Sequence, residues 1–228
     1  MYDRHLTNAN KHVTETIGLA RENVQVANNS MNMLKYAKIY LGKAEPLQQL
    51  TAEDAYSVIK YKNPKKSNTK AEEYVKTVIH KVNHNLFSSF VGDMIIDEYT
   101  PKSSKHANII ATDISRLCFI IMHKVKNKKT LKEKEWINDK SGKKFIELVL
   151  VPALAAIKEI ITDFISTSDK GNPSLSTVDL MILRGKCAEL NRDLMNDKYT
   201  TSILKHVAPK FHFDELKLID DKQTKKKK

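Results

Sequence analysis

The sequence predicts an all-α fold. A single compact domain of six to eight helices is expected over residues 1–220, led by a long N-terminal amphipathic helix, with a basic disordered tail at 221–228. Three observations carry this. Apolar residues recur every three or four positions along most of the chain. Three segments open with capping boxes, in which a Ser or Thr and an acid three residues on satisfy each other's backbone N–H groups: Thr51–Asp54, Thr69–Glu72 and Ser176–Asp179. Gly and Pro number only six each in 228 residues, which favours long elements over tight turns.

The first helix is expected over 6–41, because Leu6, Val13, Ile17, Ala20, Val24, Ala27, Met31, Leu34 and Leu41 form a heptad-like stripe ending at Gly42. A short helix follows Thr51, with Ala55, Val58 and Ile59 inward. The composition of 62–69 marks a loop. Val75, Val78, Val82, Leu86 and Phe90 then read as one helix reaching Met94. Ala107, Ile110, Ile114, Leu117, Cys118, Ile121 and Val125 give a wide apolar face, read as a central helix over 104–126, and a short helix is expected at 130–138. The run FIELVLV at 145–151 is readable as a buried strand or a helix. With no other strand expected, a helix kinked or broken at Pro152 is preferred. Helices starting after Ser176 and near Ile203–Ala208 complete the set.

The net charge of +12 is unevenly distributed. Residues 61–144 hold eighteen basic and nine acidic groups, whereas residues 1–60 are close to balance and the excess in 145–228 comes from the final KKKK. Frequent Lys, Asn and Ile codons account for lysine outnumbering arginine, 34 to 5, but not for lysines left unbalanced in one third of the chain. The candidate contact residues are Lys62, Lys65, Lys66 and Lys70 around one loop, and Lys124, Lys126, Lys128, Lys129, Lys132 and Lys134 around another, with Lys143 and Lys144 behind. If both loops stand at one end of a helical bundle, they form a single electropositive surface that binds phosphates by counterion release. Lysine lacks the bidentate recognition of arginine, so little sequence specificity is expected. Trp136, Tyr61 and His123 stand beside these lysines and are candidates for stacking on unpaired bases.

His80 and His84 share a helical face with Glu73, but no glutamate follows His80 as a HExxH site requires, so no metal and no cofactor is expected. The first residues, MYDRHLTNANKH, lack the apolar core of a signal peptide, and no apolar run reaches the roughly 20 residues of a membrane span. Cys118 and Cys187 fall in apolar stripes, as reduced thiols do. An intracellular location (cytoplasm, nucleus or virion) is the expectation.

Arg116 and His123, seven apart with Asp113 one turn before, resemble the Arg-x(4–6)-His pattern of the all-helical HEPN ribonucleases. The resemblance implies an Arg and a His acting on a scissile phosphate, although Leu117 stands where a polar residue often follows the Arg. The segment GNPSLSTVDLMIL looks slightly like a capped helix of glutathione transferases, but residues 1–80 read as helices where those enzymes need a thioredoxin-like half.

The function expected from sequence is non-enzymatic, nucleoprotein- or packaging-like binding of RNA or DNA. Two alternatives stand beside it: a helical matrix or capsid-associated scaffold that self-associates through the 6–41 helix, and a HEPN-like ribonuclease. An anionic membrane surface is a further partner that the charge allows.

Overall fold

Helices make up most of the structure, a computed structural model that describes residues 16, 24, 31–61, 68–101, 106–125, 133–167 and 175–214. Of the expected 6–41 helix, α1 at 31–40 is described, together with Thr16 and Val24, both helical; the remainder lies outside the described residues, as does the 221–228 tail. Then come α2 (Ala52–Val58), α3 (Asn68–Asn83) and α4 (Phe87–Tyr99), followed by three strands: β1 (Ile109–Asp113), β2 (Cys118–Lys124) and β3 (Lys134–Asp139). The chain closes with α5 (Lys143–Phe145), α6 (Val151–Thr167), α7 (Thr177–Met195) and α8 (Thr200–Val207).

The sheet corrects the all-α expectation. Residues 109–124 are not a central helix but an antiparallel hairpin, and 134–139 is a third strand rather than a short helix. The physical reason is burial on both faces. Ile109, Ala111, Phe119 and Ile121 enter the main helical core, while Ile110, Ile120, Met122 and Trp136 pack under Ala37, Leu41 and Ala44 on the other side. A strand covered on both faces reads as a continuous apolar run, which also resembles a wide helical face. The β1–β2 turn carries no Gly or Pro. Asp113 Oδ1 accepts from Ser115 Oγ (2.6 Å) and from the Arg116 N–H (3.0 Å), and Leu117 takes a left-handed φ of 53°.

The expected 70–94 helix is also two helices. Asn85, at φ 57°, ends α3 and lets α4 start in a new direction; asparagine tolerates this conformation better than most residues. Gly92 on α4 lies against α8, where a Cβ would stand 2.5 Å from His206 Cδ2, and the His206 ring bonds Asp93 through Nε2 at 2.7 Å.

The 143–167 region is helical rather than a buried strand, and it runs on through Pro152 without the expected break. A π turn at Ile146–Leu150 precedes the proline. Pro152 has no N–H to give the carbonyl four residues back, and Leu148 O instead accepts from Leu50 N–H at 2.9 Å. The connector after α1 is fastened at two further points: Leu47 N–H to Met122 O (2.8 Å) and Lys134 Nζ to Ala44 O (2.8 Å).

Sheet and helices also meet where β3 runs into α5. The buried carboxylate of Asp139 accepts the backbone N–H groups of Lys144 (2.8 Å) and Phe145 (2.9 Å), capping α5. Gly142 makes the turn at φ 64°, and a Cβ there would press on Phe119 and Leu204 at 3.2 Å. Around α6 the core gathers Ile157, Ile160, Ile161 and Phe164 with residues of α2, α3 and α7. No helix among the described residues is long and apolar enough to cross a membrane.

Candidate functional site

The two ends of the lysine-rich stretch 123–136 lie on adjacent antiparallel strands. Strands β2 and β3 pair in register from Phe119↔Asp139 to Lys124↔Lys134, and Val125 N–H extends the ladder to Glu133 O at 2.9 Å. Lys126, Lys128, Lys129 and Lys132 lie in the chain joining Val125 to Glu133 and fall outside the described residues. Two adjacent paired strands thus bring the ends of this basic segment together, with Lys124 and Lys134 directly across from each other at its base.

The two framing lysines differ. Lys124 is exposed. Lys134 is half-buried, and besides its bond to Ala44 O it reaches Glu45 Oε1 at 3.4 Å, so it anchors the connector to the sheet. Two like charges directly opposed on one sheet face repel, and the Glu45 carboxylate offsets part of that repulsion.

The remaining candidates do not all gather here. Lys143 is exposed and Lys144 pairs with Glu147 at 2.7 Å, but both follow the far end of β3, about 17 Å from Lys134 along a six-residue strand. Lys70 is exposed on the first turns of α3. Lys62, Lys65 and Lys66 lie outside the described residues. The helical pairing expected to bring the 62–70 loop beside the 124–144 loop is absent, because β2 and β3 replace the helices that it assumed.

The aromatic expectation is corrected. Trp136 is 5% exposed and faces Met122 in the outer apolar cluster; Tyr61 is 5% exposed and packs on Tyr74 with centroids 4.9 Å apart. Neither ring is presented to a base. His123 is half-buried opposite Glu135, and its Nδ1 has no hydrogen-bond partner among the described residues.

The ribonuclease resemblance loses its geometry. Arg116 lies in the β1–β2 turn beside Asp113, whereas His123 sits near the opposite end of β2. Along β2 alone His123 stands about 17 Å from Cys118, two residues past Arg116, so Arg116 and His123 share no helical face. Burial pushes Asp113 upward, but its bonds to Ser115 and the Arg116 backbone, with the Arg116 charge, outweigh this and hold its carboxyl below the usual range. The His80 and His84 rings are tilted 38° to each other with centroids 4.1 Å apart, and His84 Nδ1 bonds His80 O at 2.8 Å; no cluster of three metal-binding side chains occurs among the described residues.

Burial pushes the Cys187 thiol up to about 12, and also raises the hydroxyls of Tyr56, Tyr74 and Tyr99 above their ordinary value. The Asp93–His206 pair, 113 residues apart in sequence, is a contact that helical periodicity alone gave no means of finding. No family model, no curated protein and no solved structure matches the chain.

Proposed function

We propose that the protein binds nucleic acid without enzymatic turnover, capturing the phosphate backbone with the lysines of the β2–β3 connection. The supporting observation is the hairpin itself: the six lysines between 124 and 134 belong to two paired strands and the chain that joins them. Lysines in the chain that joins these two strands would meet phosphates as point charges, without base-specific recognition. Because Trp136 and Tyr61 are buried, the reading rests on electrostatics without base stacking. Lys124 is its described anchor; Lys70, Lys143 and Lys144 contribute to the wider field rather than to the hairpin end.

The test is fluorescence polarisation against single-stranded and duplex oligonucleotides at two salt concentrations. Binding should weaken steeply with salt. Lys128→Glu with Lys129→Glu should reduce the slope of log K against log [salt] by about 1.4 on single strands and about 1.8 on duplex. No binding at low salt, or a slope indifferent to these substitutions, removes the proposal.

A scaffold reading has its own support. Val24 and Met31, both on the heptad-like stripe of the first helix, are 61% and 55% exposed. Its test removes residues 1–30 and no more, because Ala37 and Leu41 are buried against the sheet. A drop in assembly mass measured by light scattering, with the far-UV spectrum otherwise preserved, supports it; an unchanged mass counts against it.

A further inference from the structure

Helix α7 is apolar on two opposite sides. Cys187, Leu190 and Leu194 pack inward, toward α3 and α6. The other side presents Val178, Met181, Ile182 and Met195, which are 65%, 67%, 59% and 66% exposed. On that side positions 178, 181, 185, 188, 192 and 195 alternate in steps of three and four, the seam of a helix that pairs with another.

We propose that this face is a homodimer interface, on which α7 of a second copy lies antiparallel about a two-fold axis passing between positions 186 and 187. The six seam positions are symmetric about that point. Gly185 meets the partner subunit's Ala188, Val178 meets the partner subunit's Met195, and Met181 meets the partner subunit's Arg192. Small residues therefore coincide at the crossing, where two backbones approach most closely, and large ones coincide at the ends. Gly185 has nothing within 4 Å of the place a Cβ would occupy, so the space for a partner is open.

Charge selects the direction. A parallel pair would set Arg192 against its own copy within the seam. The antiparallel pair lays the Arg192 stem over a methionine and lets the guanidinium reach water. The seam holds no lysine and no carboxylate. A surface that complements itself about a two-fold axis is the signature of an isologous contact, which favours a second copy over an unrelated protein.

The area sets the strength. Val178, Met181 and Met195 on the seam, with Ile182 at its rim, remove roughly 400–500 Å² per copy, or about 900 Å² for the pair, near the about 1,000 Å² lower bound of specific interfaces. A weak dimer that forms with rising concentration follows.

Light scattering on the full chain, from about 1 to 200 µM, should show the mass climbing from 26.1 kDa toward twice that value. Met181→Glu with Ile182→Glu, both at exposed positions, should weaken association on the order of tenfold or more while the far-UV spectrum stays unchanged. In a Cys118→Ser background, Val178→Cys copies mixed with Met195→Cys copies should form disulfide-linked dimers. Val178→Cys alone should not, because the two copies of position 178 would stand about 26 Å apart along the axis. A monomer throughout the range, a dimer indifferent to the double substitution, or cross-linking by Val178→Cys alone would each overturn the proposal.

Discussion

Replacing Asp139 with alanine tests how much one buried carboxylate contributes to the junction between β3 and α5. Its two oxygens accept the N–H groups of Lys144 and Phe145 at 2.8 and 2.9 Å, and Phe145 is fully buried. Each hydrogen bond to a charged group is worth about 1.5–3 kcal/mol. A negative charge at a helix start adds about 0.3–1 kcal/mol. Against this stands the burial of the carboxylate, which raises its pKa despite the opposing N–H groups and the Lys144 charge. The alanine variant recovers that burial penalty but leaves the Phe145 N–H without an acceptor. The net loss should be about 2–3 kcal/mol. Asp139→Asn keeps one carbonyl oxygen and should lose about 1 kcal/mol. Urea unfolding followed by far-UV circular dichroism and by the fluorescence of Trp136, the sole tryptophan, measures both. With a slope of about 2–3 kcal/mol per molar urea, the alanine variant's midpoint should fall by about 1 M. A midpoint within about 0.2 M of the parent would refute the reasoning, because the junction would then be held by packing alone.

Four further outcomes follow from the same geometry. Gly92→Ala should destabilise by about 1–3 kcal/mol, since its Cβ meets the His206 ring at 2.5 Å; adding His206→Ala should return part of that loss in the same urea assay. At pH 8, iodoacetamide should modify the partly exposed Cys118 and spare Cys187, whose buried thiol titrates at about 12; equal labelling by mass spectrometry would contradict that burial. Asp113 titrates below its unfolded value, so its stabilising contribution is present above the unfolded pKa and is lost as pH falls through the folded one. Asp113→Asn should flatten that acid-side decline in urea stability between pH 5 and 2.5, and a parallel decline in the variant would assign it to other carboxylates. Trp136→Phe should leave oligonucleotide affinity within about twofold, because the indole is buried under α1 and the connector; a loss of tenfold would return stacking to the interface.

Two of the three expected capping boxes stand at helix starts, whereas Thr69 lies inside α3, which begins at Asn68. Thr51 and Asp54 form the reciprocal box, and Ser176 Oγ accepts from Asp179 N–H at 3.1 Å. The inward stripe of α7 was equally plain. The second stripe, at 178, 181 and 185, has the same spacing and was open to the same reading, but Gly185, Ala188 and Arg192 dilute its apolar signal. The hairpin was hidden for two reasons. Burial on both faces erased the alternation that marks a strand, and the β1–β2 turn uses Asp113 and a left-handed Leu117 in place of the Gly or Asn-Gly that signals a reversal. Asn85 breaks α3 from α4 by the same means, a left-handed residue without glycine. At the candidate site, the lysine cluster was legible as charge. The burial of Trp136 and Tyr61 was not, since it depends on α1 and α3 packing over them from elsewhere in the chain.

The basic hairpin and the α7 face make a joint prediction that separates their failures. A dimer with two-fold symmetry carries two hairpins, so a nucleic acid long enough to span both gains from effective concentration, while one that occupies a single hairpin does not. Met181→Glu with Ile182→Glu should therefore leave affinity for a short oligonucleotide unchanged and lower it for a long one by on the order of tenfold or more, at protein concentrations where the parent is dimeric. The Lys128→Glu, Lys129→Glu pair should weaken both lengths. If the α7 substitutions abolish the dimer but spare long-strand binding, the interface stands and the avidity argument fails, because the two hairpins then face apart. If both lengths ignore the lysine substitutions, the hairpin is not the contact surface, whatever the oligomeric state.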